Sequence, residues 1–122
     1  MASILRVNTL TDASSNNSIA TSNIFSGTAK CWGGANTAAV IKDSFNIASS
    51  TDDGTGQYTH NLSNAMDQDI NNLGGNACVH GNNGIARYFG SSTASAAKIR
   101  CLNDSFTDTD HDHAFAVHGD LA

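Results

Sequence analysis

The stretch of residues 29–66, AKCWGGANTAAVIKDSFNIASSTDDGTGQYTHNLSNAM, confines the chain to short strands joined by tight turns. Residues 57–62 alternate, putting Tyr58, His60 and Leu62 on one face and Thr59 and Asn61 on the other. Asp52-Asp53-Gly54-Thr55-Gly56 before them is a turn signal. An alternating run on each side of such a turn predicts a β-hairpin. Upstream, residues 28–32 read as a strand, Gly33-Gly34-Ala35-Asn36 as a permissive turn and residues 37–42 as a second strand. Residues 43–47 are expected to place Phe45 and Ile47 on one face.

The remainder is read by the same rules. Residues 3–10 alternate, with Ile4, Arg6 and Asn8 opposite Leu5 and Val7, and residues 11–18 are polar and turn-rich. Residues 63–84 read as a long Asn- and Gly-rich loop with one short strand over 77–80. Strands are expected at 85–89, 96–102 and 114–118, the last with Phe115 and Val117 on one face. No helix is predicted, because Ser, Asn and Thr compete with helical hydrogen bonds. The expected fold is therefore all-β: an antiparallel β-sandwich or jelly-roll-like knob over residues 28–122, preceded by an extended N-terminal arm over 1–27.

Composition narrows the function classes. Hydrophobic residues make up 39% of the 122-residue chain and charged ones 14%, a thin apolar supply for one domain. Burial against sister chains would offset it. The net charge of −5 with 6 Lys plus Arg argues against nucleic acid as a partner. No apolar run approaches the roughly 20 residues that span a bilayer, and residues 1–7 lack the basic start and apolar core of a signal peptide. Assembly in a cytoplasm is expected. Cys31, Cys78 and Cys101, odd in number and irregular in spacing, read as core-filling thiols and not as a disulfide or zinc framework.

No pattern carries catalysis: the nucleophiles sit in no recognisable elbow or signature, and no cofactor is expected. His111 and His113 share a face if they lie on a strand, and in a threefold assembly such pairs would meet at the axis with enough imidazoles for an octahedral metal. A solvated loop end accounts for them more simply, so no metal is expected, with His111 and His113 the residues that would hold one. Asp108, Asp110 and Asp112 have the opening spacing of a calcium loop, but His113 stands where the turn glycine belongs and no Glu closes it. Trp32, Tyr58 and Tyr88 are the candidates for a sugar-stacking platform, with packing in the core or an interface as the simpler reading.

Several of these segments resemble a module of bacteriophage tail-fibre and virion surface proteins, including marine phage fibres. Lys30-Cys31-Trp32 resembles its Lys-Ala-Trp, Asp43-Ser44-Phe45-Asn46-Ile47 its Asp-Ser-Phe-Asn-Val, and residues 52–59 its turn Asp-Asn-Gly-Thr-Gly-Asp-Tyr-Thr. Asn64-Ala65-Met66 is similar to its Thr-Ala-Met, and residues 115–120 to a closing strand ending Phe-Gly-Asp. Residues 4–13 are similar to the short N-terminal stretch of those fibres. The likeness spans nearly the whole chain, with the middle block the specific part. Gly33-Gly34-Ala35 departs from the bulkier Val-Asn-Phe of the module, and residues 77–84 do not align. The resemblance implies a non-enzymatic virion structural protein. It would be a homotrimeric fibre or decoration knob on capsid or tail, assembled in the host bacterial cytoplasm and attached to other virion proteins through its arm. The alternative is a tail adhesin for a host receptor or surface glycan. Neither nucleic acid nor a membrane is an expected partner.

Overall fold

Alternating side chains and frequent turn residues produce short antiparallel strands, as a period of two requires. In a computed structural model, which describes residues 6–14, 18–81 and 83–122, a hairpin of β1 (Thr9–Thr11) and β2 (Ser18–Ala20) leads into helix α1 (Thr21–Gly27). Then come β3 (Ala29–Ala35), β4 (Ile41–Phe45), β5 (Ile47–Gly54) and β6 (Gln57–Leu62). A single 3-10 turn, Ile70–Asn72, precedes β7 (Gly74–His80), β8 (Gly84–Tyr88), β9 (Ala96–Asn103) and β10 (Asp112–His118).

Two four-stranded sheets result, one ordered β4-β3-β10-β7 and the other β5-β6-β9-β8, antiparallel throughout. They face each other as a β-sandwich. Cys31 on β3, Tyr58 and Leu62 on β6, Ile99 and Cys101 on β9, and Phe115 and Val117 on β10 fill the space between, with Met66 and Ile70 from the loop after β6 closing one end. Each corner is turned by consecutive strands, β4 into β5 on one side and β7 into β8 on the other.

The first corner is made by Asn46, which sits in the left-handed region (φ 61°) that Asn tolerates. Its amide donates to the Lys30 carbonyl at 3.1 Å and the Asn64 carbonyl at 2.9 Å, and its oxygen accepts from the Asn64 N–H at 2.7 Å. The chain therefore changes sheet between Phe45 and Ile47. They do not share a face: Phe45 is 52% exposed outside the first sheet, while Ile47 packs on the core.

Three further expectations are corrected. The strand β3 runs straight through Gly33 and Gly34, and the turn lies at residues 36–40. There the Asn36 side-chain oxygen accepts the N–H groups of Ala38 and Val40 at 3.0 and 2.8 Å. Gly33 serves packing: a Cβ there would stand 3.2 Å from the Phe115 ring. The strand in 63–84 is longer than expected, starting at Gly74. Residues 21–27 form a helix, tied to the preceding chain by Thr21, whose N–H donates to the Asn8 carbonyl and whose hydroxyl lies 3.1 Å from the Val7 carbonyl. Of the alternating run at 3–10, residues 3–5 lie outside the described residues, and the strand begins at Thr9.

The hairpin between β5 and β6 depends on Gly56. Its φ is +68°, and a Cβ would meet the Cys101 carbonyl oxygen at 2.5 Å and the Thr109 nitrogen at 2.7 Å. Both are backbone atoms that cannot step aside, so Gly56→Ala should lower stability by about 2 kcal/mol or more in urea unfolding, whereas Gly27→Ala, with nothing within 4 Å, should leave it nearly unchanged.

Candidate functional site

The inward faces of β6 and β10 carry a polar seam inside the apolar core. Their alternation buries His60 and His113 completely, each at 0% exposure. The two rings meet across the sandwich with Nε2 atoms 2.9 Å apart. His60 Nδ1 lies 2.6 Å from the Ser50 hydroxyl on β5, and His113 Nδ1 lies 3.0 Å from the His111 carbonyl oxygen. Aromatic rings enclose the pair: Phe115 stacks on His60 at 4.6 Å between centroids, and Tyr58 lies 4.3 Å from His113. Burial, and then the neighbouring His113, bring the pKa of His60 down to about 4, against the opposing pull of Asp53. Burial also lowers that of His113.

Ser50, His60 and His113 stand in the order of nucleophile, base and orienting group. With its pKa brought down to about 4, His60 is a weak acceptor for a hydroxyl proton at neutral pH. The cleft that reaches the pair opens at the far end of the row from Ser50. It encloses about 250 Å³ and is lined by Gly34, Ala35, Lys42, His80, Asp112 and His113. At its rim Lys42 pairs with Asp112 at 2.5 Å, and the other Asp112 oxygen accepts the Thr37 N–H at 3.1 Å. The hydrogen bond from Lys42, foremost, holds the Asp112 carboxyl below its usual range.

The candidate ligands and stacking residues fall into different places. His111 and His113 do not form a matched pair. Both ring nitrogens of His113 are taken up by hydrogen bonds within the chain, and His111 Nε2 is buried without a partner beside Gly84. Among the described residues, no group of three or more His, Cys, Asp or Glu is arranged to hold a metal. Asp108 instead pairs with Arg100 at 2.6 Å, and Asp110 accepts the Gly56 N–H at 2.6 Å.

Tyr58 is buried in the core, its hydroxyl 3.2 Å from the Thr37 carbonyl and 3.3 Å from Asp110 Oδ1. Tyr88 reaches from β8 to the opposite sheet and donates to the Ala116 carbonyl at 2.7 Å. Burial raises the pKa of both hydroxyls, keeping them protonated donors. Of the three stacking candidates only Trp32 faces out, 38% exposed and directly opposite Phe45 in the register of β3 and β4. Burial pushes the Cys31 thiol up to about 11 and the Cys101 thiol up to about 12, so both remain inert, while Cys78 is exposed.

The His60–His113 contact escaped sequence reasoning because the residues lie far apart in sequence. The signal was present in each strand: His60 falls in register with Tyr58 and Leu62, and His113 with Phe115 and Val117. In comparisons with known proteins, no family model, no curated protein and no solved structure matches this chain.

The two aromatic settings predict different losses. Tyr58→Ala should cost about 3–5 kcal/mol as a large core truncation and Tyr58→Phe about 1 kcal/mol for the hydroxyl bonds. Trp32→Ala should cost no more than about 1 kcal/mol, the worth of a cross-strand pair, with urea unfolding as the measurement.

Proposed function

We propose that the protein is a non-enzymatic structural component of a bacteriophage virion: a small homotrimeric knob displayed on the particle surface, as a capsid fibre, decoration or tail-fibre piece. The observation that carries this reading is the arm. Leu10, Ile19 and Phe25 are 46%, 42% and 70% exposed, and Val7 is 39% exposed, while every residue of the core cluster lies at Cys31 or beyond. A two-stranded hairpin and a seven-residue helix with outward apolar side chains are marginal alone in water. Covering them against sister chains or another virion protein supplies what the arm lacks. The module resemblance supports the phage setting, and the buried, hydrogen-bonded state of Tyr58, His60 and His113 supports a role without turnover.

The full chain should therefore be an oligomer by light scattering, and a monomer of about 13 kDa would count against the proposal. Deleting residues 1–27 should abolish incorporation into particles and leave a β-rich knob by circular dichroism. Normal assembly of the truncated chain would remove the arm from the argument.

A second reading, a host-receptor or carbohydrate-binding tail adhesin, is favoured by one observation. Trp32 and Phe45 lie exposed on the outer face of the first sheet beside Ala116, which pairs with Trp32. Exposed aromatic rings side by side on a sheet suit stacking on sugar rings. Glycan-array binding that disappears in Trp32→Ala while the fold is retained is the expected result for an adhesin; equal binding by both proteins would dismiss it.

A further inference from the structure

The hydrogen-bond row through the sandwich has only one consistent set of protons. The His111 carbonyl oxygen can only accept, so His113 Nδ1 carries a hydrogen and donates to it across 3.0 Å. In a neutral His113 the Nε2 atom is then bare. The 2.9 Å contact requires one hydrogen between the two Nε2 atoms, and it belongs to His60. The Nδ1 atom of a neutral His60 is bare in turn and accepts from the Ser50 hydroxyl across 2.6 Å. With both rings uncharged, every nitrogen is satisfied, and donation runs one way from β5 through β6 to β10.

Protons disrupt this arrangement stepwise. One proton on His60 Nδ1 is accommodated if the Ser50 hydroxyl turns to accept, but it places a charge in a fully buried site. A second proton, on His113 Nε2, then sets two N–H groups facing each other at 2.9 Å and abolishes the bond between the sheets. The closed geometry therefore holds at most one charge, whereas the separated strands hold two.

We infer that the His60–His113 contact is an acid-sensitive fastening between the two sheets, closed while both rings are neutral and released when the pair takes up protons. The cleft walled by Lys42, His80 and Asp112 abuts His113, which is shut off from solvent while the contact is closed.

The surroundings decide whether the fastening can be overridden. From β5, Asp53 favours a charged His60; the hydrogen bond to the His111 carbonyl and then, from β10, Asp112 favour a charged His113, and from β7, His80 disfavours it. Asp112 is already engaged by Lys42 of β4. Tyr58 of β6 and Cys101 of β9 remain neutral, and Asp110 is engaged by the Gly56 N–H. Burial prevails over the two carboxylates and the His111 carbonyl, so both rings are held below their ordinary value of 6.5.

The sign follows from linkage. A base whose folded pKa is lowered binds more protons in the unfolded chain, so stability is full above about pH 6.5 and declines as pH falls towards the folded values, about 4 for His60. The carboxyls of Asp108 and Asp112 are lowered in the folded state. Their contribution is lost only below the ordinary carboxylate value of about 3.9, under the histidine window.

The test is urea unfolding of the full chain from pH 7.5 to 4.5, together with NMR titration of the histidine rings in the folded protein. The folding equilibrium constant should fall by about tenfold per pH unit for each proton taken up below pH 6.5, while the His60 ring stays neutral in the folded protein down to about pH 5 and the His113 ring titrates below 6.5. In His113→Gln, whose amide oxygen can still accept from His60, the slope should lose about one proton. A stability that is flat between pH 6.5 and 5 overturns the inference. So does either ring titrating near 6.5 in the folded state, or an unchanged slope in a folded His113→Gln. If that variant does not fold, the wild-type slope and ring titration decide the matter alone.

Discussion

The contact between His60 and His113 is the point at which the two sheets are held by direction and not by volume. Sandwich cores are ordinarily filled by interdigitating branched and aromatic side chains. This core combines Tyr58, Ile99 and Phe115 with several small residues, Cys31, Ala97 and Cys101 among them, all at 3% exposure or less. Bonds between the sheets add to that packing. His60 meets His113, the Tyr58 hydroxyl reaches the Thr37 carbonyl and the Tyr88 hydroxyl reaches the Ala116 carbonyl. Each tie is stringent, because a buried polar group that loses its partner is costly while a well-made bond gains only about 1 kcal/mol. They therefore specify the register of β6 and β10 more sharply than they stabilise it: a one-residue slip would carry each histidine to the solvent face.

This stringency shapes the rest of the molecule. For Phe115 to stack on His60, the neighbouring strand must be thin, and Gly33 provides that by having no side chain beneath the ring. For the sheets to face each other at the right offset, the chain must turn between β4 and β5 in a single residue. Asn46 does so, with its side chain clamped to Lys30 and Asn64. Asp112 joins the 36–40 turn and β4 to β10 at the open end, through Thr37 and Lys42.

The sequence disclosed those parts of this scheme that are periodic. The alternation of Tyr58, His60 and Leu62 and of Phe115 and Val117 was legible because one face of each strand is buried, and a hairpin turn before Gln57 because its chemistry is local, although β5 runs on through Gly54 and the turn is confined to Thr55 and Gly56. What stayed hidden was set by distant neighbours. Gly33-Gly34 looks like a turn until Phe115 is placed above it, and Asn46 looks like strand until the second sheet exists to be entered. Tyr58 and Trp32 are equivalent as aromatic residues in a list, and only the packing separates a core anchor from a surface ring. The helix at Thr21–Gly27 gave no signal, having neither a side-chain cap bond nor charges in its terminal turns.

The division of apolar residues bears on where a partner can act. Within the sandwich, Tyr58, Tyr88, His60 and His113 are each engaged by a bond to the other sheet, and the Cys31 and Cys101 thiols are held protonated by burial. These groups are occupied with holding the fold and have little left to offer a ligand. The apolar surface that the fold does not use includes Leu10, Ile19 and Phe25 in the arm, Trp32 and Phe45 on the outer face of the first sheet, and Val40, Ile85, Phe106 and Leu121 elsewhere. A partner gains most by covering those residues, since desolvating apolar area is favourable wherever no bond has to be broken first. The proposed attachment through the arm and the proposed glycan contact through Trp32 thus draw on separate surfaces. The arm deletion and the Trp32 substitution can move one without moving the other.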